Sequence, residues 1–378
     1  MDATFPWGLP PPAAFYLLLY LVTLVLHVFL MTYVLAGSAV LCWAAAFPGA
    51  GPLPRSRQPL VALLRNWSPF VLSGAITAAV APLLFVQVLY PRHFYTAHLL
   101  LGVRWMIVIP VLILAFYLLY LIKRKAVADW SAAARIAVAL VAALCFLFVA
   151  YSWTANHLLS IAPDAWTDAY ASGRVIRSYF ALGARLATWV AGAFPTMCVL
   201  AAWQLAYYAP ASEEEEDALA LEPRRLAHLS LAGLAAAFLF ALLYLFFVGG
   251  DARGAILGPA GRGWILVLLL GSGAQAAGWF FQRRSEDFKV LYLLVISFGS
   301  AATLFAAASL RELIRLSQVD LKLLAASAAE AAKIQGFVLF LLFALLNLVL
   351  IGLSIWLVTR QREPDDAPEG ESGAAPRT

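Results

Sequence analysis

Charge is the scarcest commodity in this chain. Asp, Glu, Lys and Arg make up only 12% of its 378 residues, against 63% apolar residues, and the mean hydropathy is +0.84. Such a composition excludes an ordinary soluble domain. Carboxylates are absent between Asp2 and Asp129, so the first third of the chain can build neither an acidic catalytic dyad nor an oxygen-ligand cation site. Cysteine is nearly absent as well. Cys42, Cys145 and Cys198 stand far apart in apolar stretches, which rules out a CxxCH motif for covalent haem, a CxxC pair and a disulfide framework. They read as small buried hydrophobes. No Lys or Arg precedes the first apolar run, and "FPWGLPPP" follows Asp2 in place of a basic leader. That is the wrong chemistry for a cleaved secretion signal, so the first helix is expected to be retained.

What the chain has is long apolar runs. About nine stretches of roughly 20 residues or more, each long enough to cross about 30 Å of hydrocarbon, fall near 13–47, 69–90, 99–122, 134–160, 178–208, 226–248, 263–281, 289–310 and 335–359. Backbone groups in lipid must be satisfied within the segment, and these runs are too long and uniform for barrel strands. The expected fold class is all-α, a polytopic membrane helix bundle. Positive charge follows alternate spans: Arg55, Arg57, Arg65, Lys123, Arg124, Lys125, Arg135, Arg224, Arg225, Arg283, Arg284, Lys289, Arg360, Arg362 and Arg377 all lie on one side. The opposite loops are poorer, which places the N-terminus outside and the C-terminus in the cytoplasm of a multi-pass inner-membrane protein. The net charge of +5 then reports topology, and no nucleic-acid partner is implied.

The expected organisation is helices 1–5 over 1–208, an acidic cytoplasmic connector over 209–225, helices 6–9 over 226–360, and a disordered tail over 361–378. Between helices 8 and 9, Leu310, Leu313, Ile314, Leu321 and Leu324 recur at helical spacing among Arg311, Glu312, Arg315, Asp320 and Lys322. That pattern predicts an amphipathic helix near 310–333 lying on the outer surface.

Ionisable side chains inside membranes are costly and mark cofactors, substrates or relays. His27 stands alone in "LVLHVFLMTYV". One reading is a neutral imidazole giving a single hydrogen bond to a neighbouring helix; the other is an axial ligand to haem iron. His98, opening helix 3, and His157, closing helix 4, lie on the outward side and are candidates for a second ligand. Arg104 and Arg185 sit inside spans, each about two turns from the outer end. They either snorkel to lipid headgroups or pair with carboxylates of a ligand, and haem propionates beside a histidine-ligated iron fit that arrangement.

"LVLHVFLMTYVLAGSAVL" resembles the first helix of subunit I of the cytochrome bd quinol oxidases, in which a histidine is an axial haem ligand. "NWSPFVLSGAIT" (66–77) is similar to the start of that family's second helix. "VAYSWTANHLLSIAP" (149–163) is similar to the end of its fourth, with the Trp and Asn standing here as Trp153 and Asn156. The resemblance covers mainly residues 13–205. It implies nine spans with an outward N-terminus, b-type haem, a quinone and partner redox subunits of a respiratory chain, among them a c-type cytochrome at the outer face. The chain also departs from the family: residues 69–122 hold no carboxylate, where the family carries glutamates for proton delivery. The family's early fifth-helix histidine is replaced by "SYFALGARLATWV", and the outer loop after helix 6 is short. The sequence therefore reads as a membrane electron-transfer subunit that does not itself reduce oxygen. The competing reading is a cofactor-free protein, either a quinone-binding or anchoring subunit or a small-solute transporter.

Overall fold

A computed structural model describes residues 9–47, 58–124, 126–127, 130–176, 178–208, 210 and 212–333, with a few single helical positions between 338 and 353. Its elements are helices: α1 (Pro11–Ala46), α2 (Pro59–Leu89), α3 (Pro91–Leu101), α4 (Val103–Met106), α5 (Val108–Lys123), α6 (Ala132–Ser160), α7 (Trp166–Ser172), α8 (Tyr179–Ala206), α9 (Glu213–Ala220), α10 (Glu222–Phe247), α11 (Gly250–Leu257), α12 (Pro259–Gln282), α13 (Val290–Leu316) and α14 (Leu321–Lys333). Among the described residues, eight spans are long and apolar enough to cross a membrane. The protein is thus an all-α, multi-pass membrane bundle. The ninth expected span, 335–359, and the expected tail lie almost wholly outside the described residues. The chain divides into two units, Met1–Ala328 and Ala329–Thr378; the first holds α1 to α13 and most of α14, and everything below concerns it.

Consecutive helices pack as hairpins, α1 on α2, α8 on α10 and α12 on α13, and α1 also packs on α6, α8 and α13. Up-and-down order brings α3, α7, α11 and the end of α13 to one end of the bundle, called here the α3 end. The opposite end carries α9. The main apolar core fills the half nearer α9, where Tyr33, Leu64, Met197, Cys198, Leu226 and Trp279 are fully buried together. Two cross-helix bonds stitch that half: Tyr33 donates its hydroxyl to Gln204 Oε1 at 2.8 Å and Trp203 Nε1 donates to Ser297 Oγ at 2.9 Å.

Several elements differ from the sequence reading, each for a local reason. The third span begins later, at Val103, and the chain before it forms the separate helix α3. The break falls at Gly102, whose φ of +52° is open to glycine and strained for a side chain. Pro110 sits in the first turn of α5, where a missing N–H costs nothing. The acidic connector contains a helix: Ser212 caps α9 by accepting from the Glu215 N–H at 3.3 Å, and Glu213 to Glu216 fill a first turn that favours negative charge. The outer amphipathic helix near 310–333 is corrected most. Leu310 to Leu316 are the last turns of the membrane helix α13, and only α14, from Leu321, is separate. Glu312 and Arg315 are buried.

The α12–α13 pair approaches most closely. A Cβ added to Gly299 would stand 2.7 Å from both the Gln275 nitrogen and the Gly271 carbonyl oxygen, so backbone meets backbone without a side chain between, as small residues allow in membranes. Gly299→Leu is expected to force the pair apart at a cost of about 1–3 kcal/mol or more. Thermal denaturation of the detergent-purified variant should show a lower midpoint, and an unchanged midpoint would refute the close packing.

Candidate functional site

The α3 end is built differently from the apolar half. Within the last turns of α13, the fully buried Glu312 carboxylate receives two arginines. Its Oε1 accepts from Arg311 Nε at 3.0 Å and Nη2 at 2.9 Å, and its Oε2 accepts from Arg315 Nη1 at 3.1 Å. Arg311 also donates to the Tyr20 hydroxyl of α1 and lies over that ring. Arg315 lies 4.7 Å over the ring of Tyr90, which closes α2. Burial, and then the Glu312 charge, hold the Tyr90 phenol well above its ordinary range. A third arginine, Arg185 of α8, is buried and donates to the Tyr244 hydroxyl of α10 at 3.2 Å.

His157, one turn from the end of α6, is buried and lies within electrostatic reach of Arg185, Arg311 and Arg315. Neither of its ring nitrogens has a hydrogen-bond partner. Asn156 Nδ2, Ser309 Oγ and Arg315 Nε are likewise buried without partners. Buried polar groups are normally satisfied, so an imidazole with both ring nitrogens buried and unpartnered is a group that a bound ligand could satisfy. The charge balance agrees. Arg311 and Arg315 share the one carboxylate of Glu312 and Arg185 is met by a neutral hydroxyl, so the three guanidinium charges exceed the one anionic charge they bond to.

The other expected site residues are scattered. His27 of α1 is part-buried, and its Nδ1 pairs with the Ala75 carbonyl of α2 at 2.9 Å. A carbonyl can only accept, so Nδ1 carries the proton and Nε2 is left free. His27 lies seven residues beyond Tyr20, about 10 Å further along α1, and makes no ring contact or hydrogen bond with His157 or His98. His98 is stacked on Trp105 at 4.0 Å and against Phe94 at 3.8 Å. Trp105 in turn meets Trp153 of α6 at 4.8 Å. Burial pushes the His98 imidazole down to about 4. Arg104 is exposed, the geometry of a snorkelling side chain. Of the five expected residues, then, only His157 and Arg185 are both buried at the α3 end and within electrostatic reach of each other. Arg311, Glu312 and Arg315, with Tyr20, Tyr90 and Tyr244, are the members that sequence reasoning missed. The signal available was a carboxylate placed one and three residues from two arginines at the end of a long apolar run.

Beside the cluster a cleft of about 730 Å³ opens between the ends of α6, α8, α10 and α13. Leu182, one turn from Arg185, and Ile314, next to Arg315, line it together with Leu158, Phe247 and Val248. No protein-family model matches the chain, and no curated protein matches it.

Two outcomes follow. Removing the carboxylate in Glu312→Ala leaves two buried arginines facing each other, at an expected cost of about 3–5 kcal/mol, read as a lower thermal midpoint in detergent. For His98, the folded protein disfavours the charged form, so below the unfolded value of 6.5 the unfolded chain takes up a proton that the folded chain resists. Stability should fall as pH drops from 6.5 towards about 4, and His98→Phe should flatten that decline; an equal slope in both proteins would contradict it.

Proposed function

We propose that the chain is an integral membrane electron-transfer subunit related to cytochrome bd subunit I, holding a b-type haem at the α3 end. The observation that carries this reading is the orphaned His157 imidazole among three guanidinium groups with one counter-charge. A b-type haem brings an iron that takes a neutral imidazole nitrogen and two propionates, whose charge equals the surplus. Of the residues present, His157 would supply an imidazole nitrogen to the iron, and Arg185, Arg311 and Arg315 would receive the carboxylates. When bound, the haem supplies one-electron redox chemistry; the chain orients it, neutralises it and keeps it dry.

His27 belongs to a different place. Two nitrogens on one iron stand roughly 4 Å apart, twice a metal–nitrogen bond, and His27 is set about 10 Å deeper than Tyr20. Its bond to Ala75 is of the kind that orients a metal-bound imidazole, but it equally completes a packing histidine, and no arginine of the cluster bonds to it. The N-terminus faces outward on the charge pattern, which puts the haem on the outer side, near a c-type cytochrome or another redox subunit. The cleft, whose wall combines Leu158, Leu182, Phe247 and Ile314 with Asp164, Arg174 and Asp251, is large enough for a quinone ring. The absence of acidic residues between Asp2 and Asp129 argues against proton delivery to bound oxygen.

A cofactor-free reading, as an anchoring subunit or a small-solute transporter, draws support from the same cleft, which opens beside the charged cluster without any histidine in its wall. The visible spectrum separates the two. The detergent-purified protein is expected to show a Soret band that His157→Ala largely abolishes and His27→Ala retains. No Soret band in the wild type would end the haem reading, and its loss in His27→Ala alone would move the haem to the α1–α2 interface. The pure chain is expected to show no appreciable quinol-dependent oxygen uptake, and cyanide-insensitive uptake would overturn that part.

A further inference from the structure

The wall of the cleft at the α3 end carries charge of both signs. Asp164, in the turn after α6, and Asp251, in the first turn of α11, supply two carboxylates. Arg174, between α7 and α8, supplies one guanidinium, and all three residues are exposed. Leu158, Leu182, Phe247 and Ile314 give the same wall a broad apolar part. A Cβ added at Gly249 or Gly250 would meet no atom within 4 Å, so the space beside them is open. The cleft also stands at a definite depth. α6 ends at Ser160, α10 ends at Phe247 and α8 begins at Tyr179, which sets the wall where the spans leave the hydrocarbon. Tyr179, Phe180 and Phe246 are exposed there, and Phe180 stacks on Phe247 at 5.3 Å. Such an aromatic rim, with a tyrosine in it, is what membrane proteins place at headgroup level.

A neutral quinone would use the apolar part of this wall and leave both signs unanswered. A simple cation would suit the carboxylates and be opposed by Arg174. A molecule that joins an ammonium, a phosphate and an apolar body answers all three features. We propose that the cleft binds a phospholipid with a primary-amine zwitterionic headgroup, phosphatidylethanolamine being the simplest, taken from the leaflet at the α3 end. The ammonium N–H groups donate to Asp251 and Asp164, since a carboxylate accepts from several donors at once, and Arg174 donates to the phosphate. The first acyl methylenes lie on Leu158, Leu182 and Phe247, and the chains continue into the bilayer past Phe180 and Phe246. A quaternary headgroup has the charge without the N–H donors, and an anionic headgroup has no cation to offer the carboxylates. Selectivity therefore runs from phosphatidylethanolamine through phosphatidylcholine to phosphatidylglycerol. The site is independent of the haem reading, because His157, Arg185, Arg311 and Arg315 do not line the cleft.

The test delipidates the full-length chain in detergent and offers it an equimolar mixture of phosphatidylethanolamine, phosphatidylcholine and phosphatidylglycerol with identical acyl chains. Native mass spectrometry then counts the lipids retained. Phosphatidylethanolamine is expected to be enriched about threefold over phosphatidylcholine, the scale of an ion pair at an exposed edge, and more over phosphatidylglycerol. D251N should abolish that enrichment, and R174Q should lower retention of both zwitterionic lipids. D168N, at the same end but outside the cleft wall, should keep the wild-type pattern. Asp251 and Arg174 are exposed, so these variants are expected to fold; G250L, which adds a side chain in the open space, gives a second route and should lower retention of every phospholipid. Glycerophosphoethanolamine, the same headgroup without chains, is expected not to compete, and its competing would overturn the lipid as ligand. Retained lipid that mirrors the mixture offered, or an enrichment that survives in D251N, would overturn the site.

Discussion

Glu312 and the two arginines it receives join three helices at one end of the bundle. The carboxylate itself lies on α13, yet through Arg311 it reaches Tyr20 of α1, and through Arg315 it reaches the ring of Tyr90 at the end of α2. Taking three charges out of water is expensive, and a mutual attraction repays that only when geometry and hydrogen bonding are good. Here both carboxylate oxygens are used, and each guanidinium also meets an aromatic ring. The α3 end therefore depends on a polar lock, whereas the α9 end depends on interlocking apolar side chains around Leu64, Met197 and Trp279. The division lets one half remain a close-packed scaffold while the other keeps unsatisfied groups available.

That scaffold was legible in composition and periodicity. Runs of apolar residues longer than the bilayer is thick leave a helix as the only solution, so α1, α6, α8 and α12 fall within a few residues of where the pattern puts them. Interruptions were harder to place. Gly102 is one glycine among many, and nothing local marks it as the residue that turns through positive φ and separates α3 from α5. The end of α13 failed for a physical reason. Arg311, Glu312 and Arg315 look like the wet face of a surface helix because a sequence shows charge but not pairing, and two arginines that share one buried carboxylate carry the same letters as three solvated side chains.

The site was half legible by the same logic. His157 and Arg185 stood out as ionisable groups in apolar helices, and both are buried at the α3 end. His27 stood out equally, yet its demand is met by one carbonyl of α2. Isolation in a hydrophobic run measures how costly a group is, not how the cost is met, and a backbone acceptor on the next helix leaves no trace in the sequence. Arg104 shows the converse, since a cation inside a run can reach outward when the helix around it is short and broken.

His157, at the end of α6, keeps both ring nitrogens buried and unpartnered, a demand that a bound group would meet. A ligand of the kind proposed would bind the folded chain and not the unfolded one, and so would stabilise the fold by mass action, by about 2.7 kcal/mol at a hundredfold excess over its dissociation constant. Quality control in a cell acts on the open, unlocked state. On that proposal, the amount of this protein that persists in the membrane would follow ligand supply as well as synthesis.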